Sequence, residues 1–239
     1  MRVNKYISEA GLCSRREADE WLLAGRVTIN GEVVGTGAKA LEGDEVRVDG
    51  EIVKARVLAA TPARKTAVYI ALNKPVGITC TTDHGVEGNI IDFVDHQERI
   101  FPIGRLDKDS EGLILLTSNG DIVNEILRAE NHHEKEYLVA VNKPVTDEFL
   151  AGMARGVRVH GQMTRPCKTR KIAKYGFGIV LTQGLNRQIR LMATAFGYRV
   201  TQLRRVRIIN VKLGHLKPGQ WRNLTDAELK GLLPNRTQW

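Results

Sequence analysis

With 239 residues, 42% of them hydrophobic, the chain is long enough for one large domain or for one domain with a small module, and it can build a proper core. Its longest apolar runs fall far short of the ~20 residues that a bilayer span needs, and the opening MRVNKYISEAG lacks the apolar stretch of a secretory signal. Cys13, Cys80 and Cys167 are far apart and form no CxxC pair, which argues against a disulfide framework or a zinc site and points to a reducing, cytoplasmic compartment.

The net charge is +9, and its distribution is uneven. Residues 1–60 hold 9 Lys/Arg against 10 Asp/Glu, whereas Phe149 to Thr225 carries 16 Lys/Arg and no Asp or Glu. A solvated face normally mixes signs. A folded segment of one sign projects a positive field and suits a polyanion. No basic amphipathic helix with bulky aromatics on its other face stands out, so a membrane surface is the weaker reading.

In chain order, a first module is expected over residues 1–54. VNKYISEAG reads as a short helix with Val3, Tyr6 and Ile7 inward, stopped by Gly11. SRREADEWLLAG opens with Ser14 and has Glu17 three residues on, the signature of a capping box, with Ala18, Trp21 and Leu22 as its apolar stripe. RVTING and DEVRVDGEIV follow as alternating runs broken by Asn30-Gly31 and Asp49-Gly50, which are hairpin turn signals. Two helices and a small sheet fit a binding module rather than a large active site. Residues 55–67, poor in large apolar side chains and containing Pro62, read as a linker.

A second domain is expected over residues 68–239. Its strand candidates are VYIALNK, LILLT, EYLVAVNK, GFGIVLTQG and RVRIINVKL. Its helix candidates are DIVNEILRA, DEFLAGMARG, NRQIRLMATAFG and DAELKGLL, the last capped by Thr225 with Glu228. Strands and helices mix without a regular βα period, so an α+β fold around an antiparallel-rich sheet is predicted.

GRLDKDSEG, residues 104–112, packs three carboxylates and two cations between apolar runs. Asp107, Asp109, Glu111 and Gly112 imitate the start of a calcium loop, but Ser118 stands where the bidentate Glu belongs and LILLT looks like a strand. His132-His133-Glu134 is adjacent in sequence, unlike the i, i+4 spacing of a catalytic zinc site. A glycosidase-type carboxylate pair is a second reading. The chain is only 5% aromatic and strongly basic, which suits no polysaccharide cleft. Asp109 and Glu111 read best as turn or capping residues.

The third reading is one carboxylate acting at a nucleoside. Arg105 and Asp107, two apart, are expected on the same side of an extended segment while Leu106 packs inward. Chemistry on a base inside folded RNA requires its extrusion. An aromatic ring to stack on that base is then expected, and Tyr137 in KEYLVAV is placed to supply it. A guanidinium is needed to hold the aspartate; Arg187 and Arg190 in GLNRQIR are the candidates.

At these residues the chain resembles the RsuA-type ribosomal RNA pseudouridine synthases. ALNKPVG, GRLDKDSEGLILLT, HEKEYLVAV and GLNRQIR look like that family's successive motifs, closest to the branch acting on 23S rRNA near the peptidyl-transferase region. VNKYISEAGLCSRREADEWLLAGRVTINGEVV resembles the S4-type RNA-binding module that precedes the catalytic domain. The resemblance implies Asp107 as the essential aspartate, Tyr137 as the residue on the target base, and Arg190 as the basic partner of the aspartate. It implies Arg105 as the residue that helps displace the base, and Lys74 with Pro75 as the first motif. Lys74 and Arg187 join Arg105 as expected RNA-binding residues. Leu191 departs from relatives that carry a second arginine after QIR. In the first module Arg2, Lys5, Arg15 and Arg16 are expected on phosphate, against the alternative of an ordinary solvated helix face.

The reaction implied is isomerisation of uridine to pseudouridine, which needs no cofactor and no metal. The expected partner is ribosomal RNA, 23S before a tRNA loop, with no membrane and no protein partner; a monomer is the default. A non-catalytic S4-type assembly factor and a nucleoside hydrolase are the rival readings.

Overall fold

The computed structural model describes residues 1–53, 67–127 and 132–234. It divides into two units, Met1–Lys65 and Thr66–Trp239. The linker expected over 55–67 lies, but for Ala67, outside the described residues.

In the first unit the chain makes helices α1 (Val3–Glu9) and α2 (Arg15–Leu23), then strands β1 (Val27–Ile29), β2 (Glu32–Val33), β3 (Val46–Val48) and β4 (Glu51–Ile52). The strands form one antiparallel sheet in the order β2-β1-β3-β4. Ser14 starts α2 because its hydroxyl accepts from the Glu17 N–H while the Glu17 carboxylate accepts from the Ser14 N–H, which satisfies two orphan donors of the helix. Both hairpins turn through left-handed pairs, Asn30-Gly31 at φ 52° and 87° and Asp49-Gly50 at φ 50° and 83°. Val3, Ile7, Ala18, Leu22, Val27 and Val46 close the core.

The second unit runs β5 (Tyr69–Lys74), α3 (Ile90–Val94), β6 (Phe101–Ile103), β7 (Glu111–Thr117), α4 (Asp121–Leu127), β8 (Lys135–Val141) and α5 (Asp147–Arg155). It continues with β9 (Arg158–Val159), β10 (Gln162–Met163), β11 (Lys168–Ala173), β12 (Gly176–Leu181) and α6 (Gln188–Ala195). It closes with β13 (Val200–Ile208), β14 (Val211–Lys212), β15 (Trp221–Asn223) and α7 (Asp226–Leu232). Among the described residues the main sheet has nine strands in the order β11-β12-β8-β13-β7-β5-β15, with β6 on β7 and β14 on β13; β9 and β10 form a separate hairpin. β13 and β7 are parallel and the other pairs antiparallel, so the fold is the antiparallel-rich α+β architecture.

Helices cover both faces of this sheet. Ile70, Leu72, Ile114, Tyr137, Val139, Phe177 and Ile179 pack with Ile90, Phe149 and Ile189 from α3, α5 and α6. Tyr69, Ala71, Leu113, Leu115 and Ile208 pack with Ile122 and Leu229 from α4 and α7. Burial on both faces is why YIALNK and LILLT read as continuous apolar runs instead of alternating ones.

Several elements differ from the pattern in the sequence: the short strands β6, β9, β10 and β15 are not among the expected ones, and three further differences have a physical reason. α3 is a five-residue helix held by its N-cap, where the Asn89 side chain accepts from the Ile91 and Asp92 N–H groups; one turn and a half leaves no periodic stripe to read. β11, KTRKIA, is an exposed cationic edge strand, and the charge that hides its strand character also blunts the sheet edge. RVRIINVKL, expected as one strand, is the end of β13, a tight turn at Ile209 (φ 52°) and β14.

Candidate active site

Gly104–Ser110 links β6 to β7 as a loop outside both strands, and within it Arg105 and Asp107 keep solvent exposure while Leu106 packs inward, the alternation expected from their spacing. The Ser110 N–H donates to the Asp107 carbonyl at 3.0 Å, closing a β-turn over Lys108-Asp109. Leu106 is buried in the core, Arg105 is exposed, and the Asp107 side chain keeps 31% of its surface in contact with solvent.

Groups on neighbouring segments, buried ones among them, fix this loop. The Gly77 N–H donates to the Lys108 carbonyl at 2.8 Å. The Cys80 thiol donates to the Leu106 carbonyl at 3.2 Å and accepts from its N–H at 3.4 Å. Burial pushes the Cys80 pKa up and keeps the thiol a neutral donor. Arg205, 3% exposed, donates from Nε to the Leu113 carbonyl at 2.6 Å and from Nη1 to the Arg105 carbonyl at 3.3 Å. Lys74 is fully buried and donates to the carbonyls of Pro75 (2.9 Å) and Ile78 (2.8 Å), which shapes the turn that carries Gly77. Desolvation lowers the Lys74 pKa, and Asp107 and Asp109 act in the opposite direction.

Lys74 therefore does not reach an RNA phosphate, a correction to the expectation above: its ammonium is spent on two backbone carbonyls beneath the loop. Lys74 and Arg205 are the charged side chains among the buried described residues, and both are cations. They lie in one register row across five strands: Ile179, Tyr137, Arg205, Gly112 and Lys74. At Gly112 (φ +108°) a Cβ would collide with the Arg205 backbone, so only glycine lets β7 and β13 approach where the loop enters the sheet.

Two arginines meet the loop from α6. Arg187, the N-cap residue of α6, adopts the left-handed region at φ 50° and ψ 28°, a costly conformation for a side chain of this size. Its guanidinium clamps Asp109 bidentately at 3.2 and 3.1 Å and comes within 3.9 Å of an Asp107 oxygen. His160, at the tip of the β9–β10 hairpin, donates from Nε2 to the Asn186 carbonyl at 3.1 Å and steadies this position from outside. Arg190, 13% exposed, donates to the Asp109 carbonyl at 3.0 Å and the Ser110 hydroxyl at 3.1 Å.

Burial of the Asp109 carboxyl opposes its ionisation, but the Arg187 hydrogen bonds and the charges of Arg190 and Arg187 win and pull its pKa below the ordinary value. The Asp109 hydrogen bond in turn raises the Arg187 pKa. The guanidinium beside Asp107 is thus Arg187; Arg190, expected there, holds the loop backbone and makes no ion pair with Asp107. Asp109, read as a turn residue, sits in the turn and also anchors both arginines. An open pocket of about 430 Å³ lies between Val76, Gly77, the Asp107–Asp109 turn, Asn186 and Arg187.

Tyr137, 8% exposed, shares a core cluster with Leu106 of the loop and pairs in register with Arg205 of β13; it is not among the residues that line the pocket. Lys135, two residues earlier in β8, has its pKa lowered by burial and by Arg205. Neither Lys135 nor Arg205 was singled out by the sequence: one arginine among the 16 cations of the acid-free stretch carries no mark of burial. In the first unit Arg2, Arg15 and Arg16 are exposed, and Lys5 pairs with Glu9 at 3.3 Å across one helical turn. Among the described residues no group of three His, Cys, Asp or Glu could hold a metal ion, and no helix is long and apolar enough to cross a membrane.

The pocket therefore holds a carboxylate on a pinned turn with a guanidinium beside it. The chain belongs to the RNA pseudouridylate synthase family, whose profile matches residues 68–195, and an S4 domain profile matches residues 1–46. It is 56% identical over 228 residues to the dual-specificity RNA pseudouridine synthase RluF of Salmonella typhi, spanning 95% of this chain and 77% of that one. It is 35% identical over 240 residues to the ribosomal large subunit pseudouridine synthase B of Bacillus subtilis, spanning 97% and 95%. A crystal structure of a pseudouridylate synthase matches with a TM-score of 0.70 at 31% identity, covering 97% of this chain and 99% of that chain.

Proposed function

We propose that this chain isomerises a specific uridine of ribosomal RNA to pseudouridine, with Asp107 as the catalytic carboxylate and the target base turned out of the RNA stack. The observation that carries this reading is the contrast within one turn. Asp109 is clamped by two arginines, whereas the Asp107 carboxylate accepts no hydrogen bond among the described residues and opens on the pocket with Arg187 at 3.9 Å. A carboxylate left unengaged on a pinned loop is available to a nucleoside.

The bond from N1 to C1′ breaks, the uracil turns over, and C5 joins C1′. The C5 proton leaves and N1 gains one, so composition is unchanged and no oxidant or group donor enters. Tyr137 supplies the surface against which the everted base rests. Arg105, exposed on the same loop, fills the place the base leaves or holds its phosphate, and Arg187 keeps the aspartate aimed. Arg190 acts by holding the Asp109 and Ser110 end of the turn.

The relatives' names support ribosomal RNA, and 23S rRNA near the peptidyl-transferase region is the proposed substrate, with a tRNA loop as the second arm of the test. Residues 1–54 serve as an S4-type RNA-binding domain, 55–67 as the linker and 68–239 as the catalytic domain. Arg2, Arg15 and Arg16 contact phosphate, and Lys5 joins them when it leaves Glu9. The protein acts in the cytoplasm as a monomer.

Full-length protein incubated with 23S rRNA, 16S rRNA and tRNA transcripts, followed by nuclease digestion and mass spectrometry, tests this reading. Pseudouridine at one uridine of 23S rRNA is the expected product. Free uracil would make the protein a hydrolase, and tight binding with neither product would make it an assembly factor.

A further inference from the structure

At the far end of β8 and α6 from the Asp107 loop, three connections of the second unit meet. They are Asn142–Val145 after β8, the turn at Lys174-Tyr175 between β11 and β12, and Phe196–Arg199 after α6. Their backbones are tied together. The N–H groups of Val141, Asn142 and Val145 donate to the carbonyls of Tyr175 (2.9 Å), Arg199 (3.1 Å) and Lys174 (2.7 Å). The Arg199 N–H donates to the Asn142 side-chain oxygen at 2.7 Å, and the Tyr198 hydroxyl to the Pro144 carbonyl at 2.9 Å.

What this rigid corner presents to solvent alternates rings and cations. Tyr175 is 47% exposed and Phe196 40%, and Lys143, Lys171, Lys174 and Arg199 are exposed around them. Two cation–π pairs form here: the Lys143 ammonium lies 5.9 Å from the Tyr198 ring centre and the Lys174 ammonium 5.5 Å from that of Tyr175. Tyr198 is backed by Phe149, stacked on it at 4.0 Å and 24°. No ion pair among the described residues engages these four cations, whereas Lys168, Arg170 and Arg207 are neutralised by Glu134 and Glu136. The nearest carboxylates in sequence, Asp147 and Glu148, sit in the first turn of α5, where the helix dipole favours them.

Partly exposed rings beside cations free of ion pairs suit a single-stranded nucleic acid: bases can stack on the exposed sides of Tyr175 and Phe196, the latter packed edge-on against Phe149, and phosphates meet the cations. An acidic protein segment would use the cations and leave the rings idle. We propose that this corner is a second RNA-contact surface, which holds an unpaired stretch of the same RNA whose uridine enters the Asp107 pocket. It rests on RNA being the substrate. α6 separates the two places by roughly 12 Å, eight residues at 1.5 Å each, a span of a few nucleotides.

The test is fluorescence anisotropy with a fluorescein-labelled single-stranded 20-mer of uridylate, titrated with full-length protein across a salt series. Lys171→Glu with Lys174→Glu is expected to weaken binding at least ten-fold at ~100 mM salt and to flatten the log–log salt slope by about 1.4, or 0.7 for each lost phosphate contact. Tyr175→Ala, which removes only an exposed ring, is expected to weaken binding roughly five-fold or more. If the double variant melts early, Tyr175→Ala and Arg199→Gln carry the test. Parental affinity and slope in these variants would overturn the proposal. So would poly-glutamate displacing the oligonucleotide from the parent but not from the double variant at lower concentration than competing RNA does. Tritium release from RNA containing [5-3H]uridine, measured on the parent, reports the isomerisation separately, so either reading can fail alone.

Discussion

The first unit and the Asp107 loop hold their charges in opposite ways. In the first unit the described residues pair Lys5 with Glu9, Arg47 with Glu45 and Arg26 with Asp49, at or near the surface and, for the first two, within four residues of each other. At the loop Arg187 reaches back 78 residues to Asp109, Arg190 80 residues to Ser110, and the buried Arg205 100 residues to the Arg105 carbonyl. The first unit is tied over shorter spans, none of these pairs reaching beyond 23 residues. The site exists only when β13, α6 and the loop have all arrived, so its geometry is a property of the topology.

That difference can be broken at graded depth. Gly112→Ala puts a Cβ into the Arg205 backbone at a positive φ, where β13 and β7 meet. It should cost about 3 kcal/mol or more in a denaturant melt of the second unit. Asp109→Asn should leave the fold standing but free Arg187 from its bidentate clamp, lowering turnover roughly ten- to a hundred-fold with RNA affinity unchanged.

The same residue gives a pH signature. Its folded-state pKa is depressed below 3.8, so its stabilising contribution is present above that value and is lost as pH falls through the depressed one. The stability gap between the parent and Asp109→Asn should therefore close on acidification below pH 3.8, when melts are compared across a pH series. The smallest effect belongs to the first unit. Ser14→Ala removes one side of a capping box and should cost about 1 kcal/mol in the melt of that unit, with turnover at saturating RNA intact.

The same contrast explains what the sequence revealed. Ser14 with Glu17, Asn30-Gly31 and Asp49-Gly50 are short signals with one structural meaning each, and α2 and both hairpins formed where they stand. YIALNK and LILLT were legible because strands buried on both faces leave unbroken apolar runs. The site was legible in its residues and less so in its wiring. GRLDKDSEG announced an unusual charge density, but nothing in it says that Asp109 takes the clamp and leaves Asp107 open.

Lys74 illustrates the limit from the other side. The resemblance set Lys74 among the RNA-binding residues although its motif looked structural, and the chain buries it to tie two carbonyls. Arg205 lay in a row of cations with no local feature to separate it from Arg204 or Arg207, and its burial follows from β13 lying between β8 and β7.

The proposed function stands or falls with the Asp107 carboxylate as the reacting group held by its neighbours. Single-turnover tritium release from [5-3H]uridine-labelled 23S rRNA, run with parent and Asp107→Asn at saturating enzyme, tests it most directly. Release should fall by about four orders of magnitude or more, with RNA affinity held within about three-fold of the parent. Release by Asp107→Asn at a rate near that of the parent would contradict it.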